Sequence, residues 1–271
     1  MKYVCPKCRL PLSVTETGSA VCKSGHSYDR SREGYYNLLL SNAAAMHGDN
    51  KEMVESRRRF LDTGAYLPLA EEVSKILSDA LPDGAVLLDA GCGEGYYTDI
   101  IENRVNSSDR GVSVLGFDIS KEAVKRASKR NKRVSFAVSS SYSVPLSDGA
   151  CDAVINIFSP MASEEMRRVL APGGLFILAI PDRRHLFELK SVAYENPYEN
   201  EPSDKTLPGF SLADERRISY ELQLDSSSAI WDLFMMTPYA YRTPAAGRER
   251  VRQLEHLKTR AEFILLVYRK V

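Results

Sequence analysis

The chain of 271 residues is long enough for one full-sized α/β domain and a small additional module. Its 36 basic and 36 acidic residues balance, so net charge favours no class of partner. No apolar run approaches the roughly 20 residues that a membrane-spanning helix needs, and the N-terminus lacks the apolar core of a secretory signal. These features predict a cytoplasmic protein, where closely spaced cysteines are metal ligands or redox groups more often than disulfides.

Four potential metal ligands lie near the N-terminus in the spacing C-x2-C-x13-C-x3-H, which is typical of zinc knuckles. They are Cys5, Cys8, Cys22 and His26. Three thiolates and one imidazole fill a tetrahedral zinc shell, so we predict a structural site with no open position. The alternative is a redox CxxC, which needs a strand–helix–strand context that residues 1–45 are too short and polar to supply. The other two cysteines are predicted to be buried thiols: Cys92 and Cys151.

A basic helical segment is predicted to follow over residues 46–80. It contains the run Arg57-Arg58-Arg59, whose guanidinium groups match the geometry of phosphate. These arginines are therefore candidates for contact with the phosphates of a nucleic acid, and a solvated helix face is the alternative interpretation.

Strand and helix patterns alternate from about residue 84 onwards. Such alternation predicts a doubly wound parallel sheet, which binds ligands at the carboxyl ends of its strands. The predicted strands are 85–90, 113–117, 134–138, 151–158, 174–181 and a last strand in EFILLVYRK at 262–270. The predicted helices are 97–105, 121–131 and 162–170.

The motif LLDAGCGEGYYT follows the first of these strands. Its glycines Gly91, Gly93 and Gly95 allow a tight turn, and Asp89 stands two residues before the first glycine. This pattern departs from the dinucleotide fingerprint and resembles motif I of class I S-adenosylmethionine-dependent methyltransferases. The resemblance implies that the turn faces the methionine portion of the cofactor, with Asp89 beneath it. An NAD-type Rossmann domain and an α/β domain without a ligand are the alternatives.

Further segments fit the same fold. Asp118 ends the second strand, where an acid can accept hydrogen bonds from both ribose hydroxyls. Ser140 occupies the position of the acid that usually lies near adenine, and NIFSP at 156–160 occupies the position that often faces the methyl acceptor. We therefore predict an α/β class I S-adenosylmethionine-dependent methyltransferase with a Rossmann-like doubly wound sheet, an antiparallel last strand and a small zinc-binding module in front of it.

Several whole segments resemble one family within this fold, the RlmA family of bacterial 23S ribosomal RNA guanine-N1 methyltransferases. They are CPxC…C…GHSYDxxxEGYYNLL, GDNKEMVESRRRFLDTGAYLPL, DAGCGEGYYT, PDRRHLFELK and MTPYAYR. The resemblance implies a zinc site, a target guanine in a hairpin loop of 23S rRNA domain II, and a homodimer. It also implies cofactor contacts by Tyr66, Tyr96 and His185. The expected domains are a zinc-binding RNA-recognition module (1–45), a basic helical linker (46–80) and the methyltransferase domain (81–271).

Guanine N1 lies on the Watson–Crick edge, so the enzyme needs a loop base or must flip one out and stack it. The candidate stacking residues are Tyr35, Tyr36, Tyr96, Tyr97 and Phe158. Asp182 and His185 lie beyond the fifth strand and Asn156 could orient the purine edge, but no general base for N1 is assigned from the sequence. A small-molecule substrate such as a quinone, and a protein substrate, are the alternatives, because this fold serves many acceptors.

Overall fold

The computed structural model of the protein describes residues 2–40, 48–202 and 204–271, which form two sheets flanked by helices. The predicted domain boundary between residues 45 and 46 lies outside the described residues. No helix in the described ranges is both long and apolar enough to span a membrane.

The first sheet is small, antiparallel and made of three short strands. They are β1 (Leu12–Val14), β2 (Ala20–Cys22) and β3 (Ser27–Tyr28). Gly25 takes a positive φ of 80° between β2 and β3, and its amide donates a hydrogen bond to the Cys22 carbonyl. This turn returns His26 towards Cys22 and needs glycine because other residues rarely adopt that φ.

The second sheet has eight strands in the order β10-β11-β9-β8-β5-β6-β7-β4. The strands are β4 (Tyr36–Asn37), β5 (Val86–Ala90), β6 (Ser113–Asp118), β7 (Ser135–Val138), β8 (Cys151–Ile157), β9 (Leu170–Pro181), β10 (Phe210–Leu224) and β11 (Leu257–Lys270). β4 to β9 pair in parallel, whereas β11 lies antiparallel between β9 and β10. The predicted doubly wound sheet and its antiparallel last strand are confirmed.

Nine helices occur in the described part of the chain. They are α1 (Lys51–Asp62), α2 (Leu67–Ala80), α3 (Tyr96–Val105), α4 (Lys121–Arg130), α5 (Ser163–Val169), α6 (Phe187–Ala193), α7 (Ser227–Met235), α8 (Tyr239–Arg242) and α9 (Ala245–Arg252). The predicted helices correspond to α3, α4 and α5. The long strand β10 and the helices α6 to α9 were not predicted.

Helix α1 shows why the segment after residue 48 is helical and where it packs. The Asn50 side chain caps it by accepting a hydrogen bond from the Met53 amide at 3.0 Å. Its buried apolar side chains form one stripe, from which Phe60 and Leu61 join the main core with α2. The predicted linker 46–80 therefore contains two helices that pack into the core, and the three-domain division of the chain stays a prediction.

The N-terminal segment is joined to the large sheet by buried contacts. The Tyr3 side chain is 1% exposed, and its hydroxyl lies 3.0 Å from the Gly116 carbonyl and 2.7 Å from the Ser135 carbonyl. Arg9 donates to the carbonyls of Val144 and Leu146 at 2.9 and 2.7 Å. Together with the pairing of β4 and β7, these bonds place the cysteine-bearing segment against the parallel half of the sheet.

Candidate active site and metal centre

The four predicted metal ligands come together. One ligand atom of each of Cys5, Cys8, Cys22 and His26 lies within 4.8 Å of all the others. The Cys8 and Cys22 sulfurs are 3.5 Å apart, and the Cys5 sulfur is 3.4 Å from His26 Nδ1. Zinc–sulfur bonds of about 2.3 Å in a tetrahedron place sulfurs roughly 3.8 Å apart, so the cluster fits zinc.

The surroundings of the cluster favour a structural metal over redox chemistry. Cys5 and Cys8 lie beside a small antiparallel sheet and not in a strand–helix–strand unit. The Tyr28 hydroxyl lies 3.2 Å from the Cys5 sulfur, where it can donate to a thiolate ligand. No local pattern in the sequence indicates this contact. Cys92 and Cys151 are buried away from the cluster, as predicted.

The three glycines after β5 form the predicted turn. Gly91, Gly93 and Gly95 have φ values of 86°, 53° and 87°. A methyl group added at Gly95 would lie 2.9 Å from the Ala127 Cα atom, so α4 packs directly against the turn. At Gly93 an added methyl group would meet no atom within 4 Å, so the turn is open there to a ligand.

Asp89 and Asp118 hold this turn from two sides. Asp89 is buried and accepts a hydrogen bond from the Thr98 hydroxyl at 2.6 Å, and burial raises its pKa to about 7. Asp118 accepts from the Gly93 amide at 3.0 Å with one oxygen and from the Ser120 amide at 2.8 Å with the other. Each of its oxygens keeps acceptor capacity for a further donor, such as a sugar hydroxyl.

The other predicted cofactor residues are Ser140, Tyr96, Tyr66 and His185, and only the last two contact each other. Ser140 is buried in the loop after β7, where its hydroxyl accepts from the Tyr142 amide at 3.2 Å. Tyr96 begins α3, and its ring centroid lies 5.9 Å from the Arg130 guanidinium. Tyr66 and His185 contact each other, with Tyr66 Oη 3.3 Å from His185 Nε2.

His185 is held as a neutral imidazole. Its Nδ1 accepts a hydrogen bond from the Glu262 amide at 3.1 Å, so its hydrogen is on Nε2 and points to Tyr66 Oη. Burial lowers the pKa of His185 to about 3. The Nε2 atom is therefore a donor in this arrangement and not a free base.

Tyr66 and His185 belong to an aromatic cluster at the carboxyl ends of β8 and β9. Its members are Tyr66, Tyr97, Phe158, His185 and Phe263, with ring centroids 4.8 to 6.5 Å apart in the contacting pairs. This edge of a doubly wound sheet is where ligands bind. The cluster thus lies at the sheet edge where a ligand of this fold is expected.

The remaining candidate residues are engaged with partners. Asp182 forms an ion pair with Arg217 at 2.6 Å and accepts from the Arg183 amide. Asn156 is fully buried and donates to the Ala90 carbonyl at 3.0 Å, while its Oδ1 has no hydrogen-bond partner among the described residues. The motif NIFSP therefore contributes a buried hydrogen bond between β8 and β5, made by Asn156.

The three arginines of α1 also have carboxylate partners. Arg57 pairs with Asp49, and Arg58 pairs with Asp62 at 3.4 Å. Arg59 holds the largely buried Asp232 of α7 through two bonds of 2.6 and 2.8 Å. Their role in RNA binding stays a prediction, and Arg58 has the longest of these contacts.

Replacing one metal ligand tests the zinc centre. We expect Cys22→Ser to lose its zinc, because a serine hydroxyl is a poor ligand, and to lower Tm because the small N-terminal segment has little core of its own. Zinc per chain would be measured by mass spectrometry of the purified protein. Cys151→Ser, which alters a buried thiol outside the cluster, is the matched control and should retain zinc. Full zinc content in Cys22→Ser would contradict the assignment.

The raised pKa of Asp89 predicts a pH-dependent stability. Between its ordinary pKa of 3.8 and about 7, the folded state keeps a proton on Asp89 that the unfolded state releases. Stability is therefore greatest below about pH 4 for this group and falls as pH rises through 7. We expect Asp89→Asn to abolish this fall, which is on the order of 4 kcal/mol. Urea unfolding at several pH values measures it, with Asp79→Asn, an exposed site, as control. Parallel curves for wild type and Asp89→Asn would contradict it.

Comparisons with known proteins agree with the two parts of the site. A family model described as "RlmA, N-terminal" matches residues 3–43, and one described as "Methyltransferase domain" matches residues 88–178. The 23S rRNA (guanine(748)-N(1))-methyltransferase of Streptomyces fradiae is 32% identical over 82% of this chain and 79% of its own length. A Micromonospora griseorubida protein, provisionally named a 23S rRNA (guanine-N(1)-)-methyltransferase, is 30% identical over 98% and 97%.

A small-molecule enzyme matches over a shorter length. The 2-methyl-6-phytyl-1,4-hydroquinone methyltransferase of Synechocystis is 30% identical over 44% of this chain and 39% of its own. The two rRNA methyltransferases match across most of both chains, and the matched N-terminal model includes the metal ligands. The chain therefore belongs to the RlmA family of 23S rRNA (guanine-N1)-methyltransferases.

Proposed function

We propose that this protein transfers the methyl group of S-adenosylmethionine to N1 of a guanine in a hairpin loop of 23S rRNA domain II. The observation that carries the proposal is the open glycine turn with Asp118 fixed beside it. It occurs in a chain that is 32% identical to the S. fradiae enzyme over 79% of that enzyme. The alternatives with a quinone or protein acceptor have no comparable support, since the hydroquinone enzyme matches less than half of either chain.

The cofactor site that we propose follows the glycine turn and the strand ends beside it. The open face at Gly93 leaves room for the methionine portion, while Gly91 and Gly95 allow Ser159 and Ala127 to pack closely beside the turn. Asp89 fixes the start of α3 beneath it through Thr98. The Asp118 oxygens are suited to the ribose hydroxyls, because both remain able to accept. Further contacts are assigned by the family resemblance to Tyr66, Tyr96, Ser140 and His185.

The cofactor supplies an electrophilic methyl group, so the protein's main task is to align N1 with it. N1 must also lose its proton. Neither His185 nor Asp182 is free to accept it, because His185 Nε2 carries a hydrogen and Asp182 is paired with Arg217. We therefore assign the proton to neither residue, and His185 serves to orient Tyr66.

The zinc module is proposed to help recognise the RNA while it is attached to the methyltransferase sheet. Tyr3 and Arg9 join it to β6, β7 and the loop at 144–146, so the metal site and the cofactor site form a continuous structure. An rRNA substrate agrees with action in the cytoplasm. The resemblance further suggests a homodimer, which light scattering of the purified protein would detect as a molar mass of twice 30.3 kDa.

The decisive experiment is methylation of an unmodified 23S rRNA hairpin with labelled S-adenosylmethionine, followed by nucleoside mass spectrometry and position mapping. We expect 1-methylguanosine at one loop position, because N1 of a loop guanine is unpaired and accessible. The mapped position identifies which guanine is the target. If the protein binds the cofactor but yields no RNA product, the rRNA proposal is wrong and the methyl acceptor is a small molecule or a protein.

A second prediction concerns the arginines of α1. Arg58 is half-exposed and makes a single ion pair at 3.4 Å, so it is the one most easily redirected to phosphate. We expect Arg58→Ala to weaken RNA binding and to reduce the slope of log affinity against log salt by about 1. Arg104→Ala, which alters an exposed arginine on α3, is the control. An unchanged salt dependence in Arg58→Ala would contradict a phosphate contact.

A further inference from the structure

One exposed aromatic ring lies next to the glycine turn. Phe158 follows β8 directly and is 41% exposed, whereas Tyr35, Tyr36 and Tyr96 are all less than 9% exposed. Tyr97, the fifth stacking candidate from the sequence, has its hydroxyl buried without a partner among the described residues. Of the five candidates, Phe158 therefore offers the most open ring to a ligand.

The backbone at Phe158 adopts a conformation that is unfavourable for a bulky residue. Its φ is 57°, in the left-handed region that a bulky side chain rarely adopts. Such strain persists where the surrounding structure imposes it and is concentrated at ligand-binding sites. This conformation does not bury the Phe158 side chain, because two-fifths of the residue remains exposed.

The ring is nevertheless held firmly in place. The Phe158 amide donates to the Ala179 carbonyl at 3.2 Å. Its ring centroid lies 5.4 Å from that of Phe263 and 6.4 to 6.5 Å from those of Tyr97 and Tyr66. A platform fixed in this way loses little conformational entropy when a planar ligand stacks on it.

The next residue places this platform beside the methyl donor. Ser159 packs so closely on Gly91 that an added methyl group at Gly91 would overlap the Ser159 side chain. Adjacent Cα atoms are about 3.8 Å apart, so the exposed ring and the glycine turn are separated by a single residue. A base that lies on Phe158 is then within reach of a methyl group delivered at the turn.

We propose that Phe158 is the platform on which the target guanine stacks, with its N1 edge towards the glycine turn. This inference rests on the proposed function and adds the residue that positions the acceptor. An unpaired base has an apolar face that stacks on aromatic rings. Phenylalanine carries no hydrogen-bonding group, so it positions the base and leaves the choice of guanine to other contacts.

The test compares three replacements of Phe158 in the full-length, zinc-loaded protein on the rRNA hairpin. Phe158→Ala should raise KM for RNA or lower kcat/KM at least about tenfold, as loss of one base stack does. Phe158→Tyr should retain near wild-type activity, because it keeps the aromatic face. Phe158→Leu, which keeps apolar bulk without that face, should behave like Phe158→Ala. Affinity for S-adenosylmethionine and Tm should change little in all three.

Leu212→Ala is the matched control, because Leu212 is an apolar side chain of similar exposure (43%) on the outer strand β10. If Phe158→Leu matches Phe158→Tyr, or if Phe158→Ala keeps the wild-type kcat/KM for RNA, the platform is overturned while rRNA methylation stands. If the wild-type protein methylates no rRNA, the proposed function fails, and the platform for guanine is overturned with it.

Discussion

The hydrogen bond from the Gly93 amide to the Asp118 carboxylate fixes the site around which the molecule is organised. It ties the turn after β5 to the end of β6, the neighbouring strand of the parallel sheet. Positive φ angles at all three glycines make the turn tight enough for α4 to pack against Gly95. The turn is thereby fixed at the carboxyl ends of the parallel strands, and the aromatic cluster lies at the ends of β8 and β9.

The N-terminal metal module is hydrogen-bonded to the strands and a loop of the methyltransferase sheet. Tyr3 reaches carbonyls on β6 and β7, and Arg9 reaches two carbonyls of the loop that continues from Ser140. Buried hydrogen bonds of this kind contribute about 1 kcal/mol each and cost more when one partner is lost. The metal therefore does more than fold a short segment, because it holds a segment that is bonded to the cofactor side of the sheet.

The arginines of α1 form a basic run in the sequence, but in the folded protein they pair with carboxylates. Arg59 belongs to this basic run, yet it donates two hydrogen bonds to Asp232 of α7, which lies 173 positions later in the chain. A half-buried pair of this kind joins α1 to α7 and is costly to break at one partner. Arg58, one position earlier, keeps a more exposed and weaker pair. Adjacent members of one motif thus differ in how firmly the fold engages them.

The sequence by itself determined the features that depend on short-range geometry. The spacing of four ligands within 22 residues specified the metal cluster, and the glycine motif with strand-end acids specified the turn and Asp118. Only the tertiary structure decided that β10 and α6 to α9 complete the fold, that Ser159 packs on Gly91, and that Phe158 is the exposed ring of the five candidates. These facts depend on contacts between residues far apart in the chain, and local periodicity carries no information about which distant side chains will meet.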